Sequence, residues 1–183
     1  MKLVFFNLRE DEKSALESWK NAHPEVEIDV YTEELTSANK HLLEGKEGVV
    51  LAQNKPFERD VYEYAKEQGV KVFATRSAGF DIYDLELMSE LGIKMTNVPS
   101  YSPNAIAEHV LTSALRISRN TNKIQRNLEK HNFSWNPGIL SRELRTLTVG
   151  VIGTGRIGTQ AARLFNALGS KVIGYDVYQN EAA

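Results

Sequence analysis

Cysteine is absent from the 183 residues, which excludes disulfides and cysteine-ligated zinc. Long apolar runs are absent as well. No stretch approaches bilayer-spanning length, and the apolar run in Met1-Lys2-Leu3-Val4-Phe5-Phe6-Asn7 is too short for a signal peptide. The expectation is a soluble, cytoplasmic chain without a membrane partner. Charge of one sign is scarce: 22 basic and 24 acidic residues leave a formal charge of −2. There is no basic block, so no nucleic-acid partner is implied. The four histidines, His23, His41, His109 and His131, show no metal-ligand spacing, and no metal is expected. No Ser/His/Asp arrangement, internal repeat or low-complexity segment is present, and Glu33-Glu34 reads as solvated surface.

What is present is enough apolar material for a core, 42% of residues, in a length that suits one large domain or one and a part. Residues 1–100 alternate strand and helix signals. Strands are predicted at residues 3–6, 26–31, 48–51, 70–75 and 93–98. Helices are predicted at residues 11–22, with Ala15, Leu16 and Trp19 on one face, and at 36–43, 57–68 and 85–91, the last two closed by Gly69 and Gly92. Five strands with crossover helices imply an α/β fold with a flavodoxin-like, doubly wound parallel sheet. Ligands of such sheets bind beyond the carboxyl ends of the strands. The loops there are Ala52-Gln53-Asn54, the run from Arg76 to Asp81, and Pro99-Ser100-Tyr101. Successive N–H groups around Gly79 can hold an anion. The competing reading is a plain glycine turn with Arg76 paired to Asp81.

Ser102-Pro103 has the form of a helix start, serine as N-cap and proline at the first helical position. One long helix is predicted over residues 104–128, with an apolar stripe of Ile106, Val110, Leu111, Ala114, Ile117, Ile124 and Leu128. Leaving a finished sheet, it suits a crossover into a second domain. His109, beside Glu108 near its start, reads as a structural hydrogen-bonding residue rather than a catalytic one. Asn136-Pro137-Gly138 marks a turn, and a short helix is predicted over residues 140–144.

The densest signal is residues 148–176. A buried strand, Val149-Gly150-Val151-Ile152, runs straight into Gly153-Thr154-Gly155-Arg156-Ile157-Gly158. A helix follows with Ile157, Ala161, Leu164, Phe165 and Leu168 on one face, stopped by Gly169. A second strand then ends on Asp176. Each glycine has a physical role: Gly153 permits the tight turn, Gly155 lets a pyrophosphate approach the backbone, and Gly158 lets helix and strand lie close. The helix N-terminus favours an anion. Asp176 stands about 20 residues beyond the turn, where such units place the acid that accepts ribose hydroxyls. It would repel a 2′-phosphate and no arginine follows it, so NAD is favoured over NADP. A methyltransferase-type nucleoside site and an ordinary βαβ turn with a solvated Asp176 are the alternatives.

With these residues assembled, the chain resembles the D-isomer-specific 2-hydroxyacid dehydrogenases, the D-lactate dehydrogenase branch in particular. The resemblance runs over nearly the whole chain. It rests on Asn97-Val98-Pro99-Ser100-Tyr101-Ser102-Pro103-Asn104-Ala105-Ile106-Ala107-Glu108-His109 and on the glycine motif from Val149 to Gly158. Phe133-Ser134-Trp135 and the run from Gly92 to Asn97 also fit. The resemblance implies residues 1–100 as the N-terminal part of a substrate (catalytic) domain. Residues 101–183 would be an incomplete Rossmann NAD-binding domain entered through the long helix. It implies that the backbone of Ala78 and Gly79 meets a substrate carboxylate, and that Tyr101 touches substrate and nicotinamide. Ile106 would pack near the nicotinamide, Arg156 and Ile157 would meet the pyrophosphate, and Asp176 the adenosine ribose. NAD, a small 2-oxo or 2-hydroxy acid and a homodimer are implied with it.

Two departures accompany the resemblance. Some relatives carry a tyrosine where Ala52-Gln53 stands, which alters the expected pocket wall. The family's carboxylate-gripping arginine, its acid/base histidine and the glutamate that tunes it lie beyond the dinucleotide unit. None of the three maps onto a residue here, so no catalytic residue is assigned. A second mononucleotide half, on the order of 100 residues, would complete the domain. The expectation is an N-terminal fragment of an NAD-dependent D-2-hydroxyacid dehydrogenase, reducing pyruvate to D-lactate when whole and inactive alone. A non-catalytic NAD-binding or interaction module is the alternative.

Overall fold

The computed structural model of the chain describes residues 1–178. In the first unit, Met1–Tyr101, short β-branched and aromatic runs form β1 (Lys2–Phe5), β2 (Glu27–Val30), β3 (Gly48–Leu51), β4 (Val72–Thr75) and β5 (Lys94–Thr96). All pair in parallel, in the order β2-β1-β3-β4-β5, the flavodoxin-like winding. Side chains alternate between the faces of a strand, and the register aligns Val4 with Val49 and Val49 with Phe73. One face therefore carries a continuous apolar row. It is covered by α2 (Arg59–Glu67) and α3 (Leu85–Leu91), which bury Val61, Tyr62, Ala65, Leu87 and Met88. Phe57 packs edge-on against Tyr62 and Phe73, at 5.5 and 5.9 Å between ring centres. The opposite face is covered by α1 (Lys13–Ala22), which leaves a cavity of about 400 Å³ lined by Leu3, Phe5, Leu16, Trp19 and Ile28.

The second unit begins at Ser102 and contains α4 (Pro103–Ser118), α5 (Thr121–Glu129), β6 (Thr148–Ile152), α6 (Arg156–Ala167) and β7 (Lys171–Tyr175). The strands β6 and β7 pair in parallel with α6 between them in sequence, and α4 packs against α6. Ala107 of α4 and Thr159, Ala161 and Phe165 of α6 are buried. Gly169 follows α6 with φ +82°, a left-handed stop that glycine adopts without a Cβ penalty.

Four local expectations are corrected. The helix predicted over residues 104–128 is two helices, because Asn120 adopts φ 51° and donates through Nδ2 to the Leu140 carbonyl at 2.6 Å. Asparagine tolerates this conformation and its amide competes with the helix backbone. Ser102 precedes α4 as expected, but with φ 40° and no side-chain cap bond. Residues 36–43 form only a 3₁₀ turn, Lys40–Leu43. There the Asn39 side chain accepts from the Thr36 N–H and donates to the Glu34 carbonyl, an alternative to helix bonding. Around residues 140–144 the chain makes two 3₁₀ turns instead, Pro137–Ile139 and Leu144–Thr146.

Candidate functional site

In the first unit the chain leaves β4 at Thr75 and enters the run Arg76-Ser77-Ala78-Gly79. The carbonyls of Ser77, Ala78 and Gly79 are each engaged. Val98 N–H donates to the Ser77 carbonyl at 3.0 Å, Asn97 Nδ2 to the Ala78 carbonyl at 2.9 Å, and Ser77 Oγ to the Gly79 carbonyl at 2.8 Å. The N–H groups of Ala78, Gly79 and Phe80 have no acceptor among the described residues. A trans peptide sets its N–H opposite its C=O, so tying three carbonyls in a row fixes three amides as free donors. Such a row is a nest for an anion. A hydroxyl chain supports it from the core: Tyr83 donates to Thr75 Oγ1 at 3.3 Å, and Thr75 and Ser77 hydroxyls meet at 2.8 Å. Burial pushes the Tyr83 phenol above its ordinary pKa, so it remains a donor.

Arg76 does not pair with Asp81. Its guanidinium instead makes a two-pronged ion pair with Glu12, at 2.9 and 3.0 Å, and donates to the carbonyls of Phe6 and Asn7 at 3.1 and 2.8 Å. It also stacks over the Phe5 ring, 4.1 Å from its centre. The loop after β4 is thereby tied to the end of β1 and the start of α1. Burial alone raises the Glu12 carboxyl. The hydrogen bonds from Arg76 and from the Arg9 N–H, with the charges of both arginines, outweigh it and hold Glu12 below its ordinary value.

The loop after β3 turns inward. Gln53 is buried, and its Nε2 donates to the Lys55 and Leu35 carbonyls at 3.2 and 3.4 Å. Tyr101 is 77% exposed. Among the described residues it meets no hydrogen-bond partner.

In the second unit the glycine turn behaves as its three glycines require. Gly153 has φ +88°. A Cβ on Gly158 would fall 1.8 Å from the Gly153 carbonyl oxygen, so only glycine allows this approach of α6 to the turn. A Cβ on Gly155 would meet nothing within 4 Å, which leaves that backbone open to a ligand. Arg156 and Ile157 open α6, and Arg156 has no acidic partner among the described residues. Asp176 accepts the Thr154 N–H at 2.6 Å and the Tyr178 N–H at 3.2 Å. The bonds from the Tyr178 and Thr154 backbones hold its carboxyl below the ordinary value. A carboxylate has about four acceptor positions; the Thr154 hydroxyl takes a third at 3.4 Å, so one remains for a hydroxyl donor. These residues fit a dinucleotide: a donor-rich turn for a diphosphate, a cation beside it and an ionised acid at the strand end. Ile106 of α4 is 47% exposed. His109 is exposed and its side chain makes no hydrogen bond among the described residues, so the expected structural bond is not formed. Among those residues no group of three metal ligands occurs, and no helix is long and apolar enough to cross a membrane.

A flavodoxin-like parallel sheet with a row of free amides, followed by a glycine-turn βαβ unit, defines the class: an α/β protein whose second unit has the form of a dinucleotide-binding βαβ. The family profile described as D-isomer specific 2-hydroxyacid dehydrogenase, catalytic domain, matches residues 2–182. The chain belongs to that family. It is 50% identical over 183 residues to a D-lactate dehydrogenase of Treponema pallidum, covering 100% of this chain and 55% of that one. The crystal structure of a D-lactate dehydrogenase from Treponema pallidum superposes with a TM-score of 0.85 at 49% identity, again over 100% and 55% of the two chains. The Aquifex aeolicus D-lactate dehydrogenase complexed with NAD and lactic acid gives 0.86 at 31%, over 98% and 52%. The chain thus spans about half the length of these relatives.

Proposed function

We propose that the chain supplies the carboxylate-binding and pyrophosphate-binding parts of an NAD-dependent D-2-hydroxyacid dehydrogenase, with pyruvate and D-lactate as the substrate pair. The observation that carries the reading is the Ala78–Gly79 nest: donors without acceptors, held there by the engaged carbonyls of Ser77, Ala78 and Gly79. The amides of Ala78 and Gly79 hold the substrate carboxylate. In the second unit, Gly153, Gly155, Gly158, Arg156 and Ile157 hold the pyrophosphate, and Asp176 takes an adenosine ribose hydroxyl. The nicotinamide, when bound, supplies the hydride. Tyr101 and Ile106 are assigned to the nicotinamide end by resemblance, and the exposure of both leaves them available for contact. Residues 1–100 take the substrate-domain role and residues from 101 the NAD-domain role. A homodimer formed through the NAD-binding unit and a cytoplasmic setting belong to the same reading.

The test is fluorescence titration of the 183-residue chain with NADH, followed by a pyruvate-dependent NADH oxidation assay. Binding without turnover is expected, because no residue here takes the place of the family's acid/base histidine. Asp176→Ala should weaken NADH binding roughly tenfold and narrow the preference over NADPH. Absence of NADH binding by the folded chain overturns the cofactor assignment. Turnover would overturn the assignment of no catalytic residue.

A further inference from the structure

We propose that Asn97 is a positioning residue: its side-chain amide selects the orientation of the peptide joining Ala78 to Gly79 and so presents the Gly79 N–H to an anionic carboxylate. The inference rests on the carboxylate reading of the nest given above.

Glycine adopts many backbone conformations at little cost. The peptide that precedes Gly79 is therefore the one in this loop that can most readily turn over, exchanging the places of its C=O and N–H. Turned over, the nest would show a carbonyl oxygen where it now shows a donor, and would repel an anion. The neighbouring peptides are held by groups that substitution leaves in place or that sit within the loop. The peptide from Ser77 to Ala78 is fixed by the Val98 backbone N–H at 3.0 Å, and the Gly79 carbonyl by Ser77 Oγ at 2.8 Å. The peptide between them depends on one side chain, Asn97 Nδ2 on the Ala78 carbonyl at 2.9 Å. Asn97 directly follows the end of β5 at Thr96, and Val98 follows at once. Two consecutive residues of one strand end thus set two consecutive amides, one through backbone and one through side chain. Asn97 acts through the loop backbone and is not itself assigned a substrate contact.

This division makes the role separable from general loop order. In Asn97→Ala the Val98 bond survives, so the Ala78 amide should keep its response to an anion while the Gly79 amide loses most of its own. The experiment is a ¹H–¹⁵N titration of the labelled 183-residue chain with sodium pyruvate against sodium chloride at equal ionic strength. Wild type and Asn97→Ala are compared, with Asn97→Ser as a second variant that keeps a shorter donor. In wild type, both amides should shift. In Asn97→Ala the Gly79 shift should fall and the apparent affinity weaken roughly five- to tenfold, the worth of one hydrogen bond. Asn97→Ser should lie between. Equal pyruvate shifts at Gly79 in wild type and Asn97→Ala overturn the positioning role and leave the carboxylate reading standing. A parallel loss at Ala78 and Gly79 also overturns it, since that is general loosening. No pyruvate response at either amide in wild type overturns the carboxylate reading itself.

Discussion

At the residue scale, the glycine turn separates two kinds of requirement that a sequence motif merges. Gly158 is required by the fold: an added Cβ would meet the Gly153 carbonyl at 1.8 Å, backbone against backbone. Gly158→Ala should therefore cost about 1–3 kcal/mol, as overpacking does, and lower the midpoint of thermal unfolding whether or not NADH is present. Gly155 stands in open space with φ −68°, a conformation alanine shares. Gly155→Ala should change stability by less than about 1 kcal/mol, the N-cap difference, yet weaken NADH binding roughly tenfold or more. Parallel melting curves and NADH titrations of the two variants check this. Equal effects of both substitutions on both measurements would remove the distinction.

At the element scale, the pair between Arg76 and Glu12 links the loop after β4 to the end of β1 and the start of α1. Both side chains are mostly buried, at 18% and 19% exposure. Removing one partner should cost more than a surface pair and less than a fully buried one, about 1–3 kcal/mol for Glu12→Ala. The sign with pH follows from the lowered Glu12 carboxyl. The folded state favours the ionised form, so the contribution is present above the ordinary glutamate value and is lost as pH falls through the lowered one. Urea unfolding of wild type and Glu12→Gln across that range should show the wild-type advantage shrinking towards acid. An advantage constant with pH would contradict the account. Neither partner was legible as a pair in the sequence, where Arg76 reads as a neighbour of Asp81. What was legible were the elements themselves. The short apolar strand runs, the apolar helix faces and the stops at Gly92 and Gly169 are local signals, and the parallel sheet follows from the alternation of strand and helix. The Asn97 tie to Ala78 and the break at Asn120 were not legible. The first joins groups brought together only by the pairing of β4 with β5. The second turns on one residue's left-handed backbone inside an unbroken apolar stripe.

At the scale of the whole molecule, the two units differ in how far their sheets are enclosed. The first has five strands, with three of them flanked on both sides, and a buried core beneath α2 and α3. Among its described residues the second has two strands, with Ile152 at 89%, Tyr175 at 66% and Ile173 at 55% exposure. A two-stranded sheet is marginal without helices against it, and here α6 and α4 supply that packing. Hydrogen exchange should therefore be slowest in β1, β3 and β4, and on the order of 100-fold faster in β6 and β7. The exposed apolar side chains should also make the chain prone to association at high concentration. Uniform protection through residues 148–176, with one sharp unfolding transition, would contradict this ranking. NADH sharpens the test, because a ligand stabilises only what it binds. At 100 times its Kd it should add about 2.7 kcal/mol to the unit that holds it. Exchange in β6, β7 and α6 should then slow by about 100-fold, while β1, β3 and β4 keep their rates. Slowing confined to the first unit would place the cofactor elsewhere than at Gly153, Gly155 and Asp176.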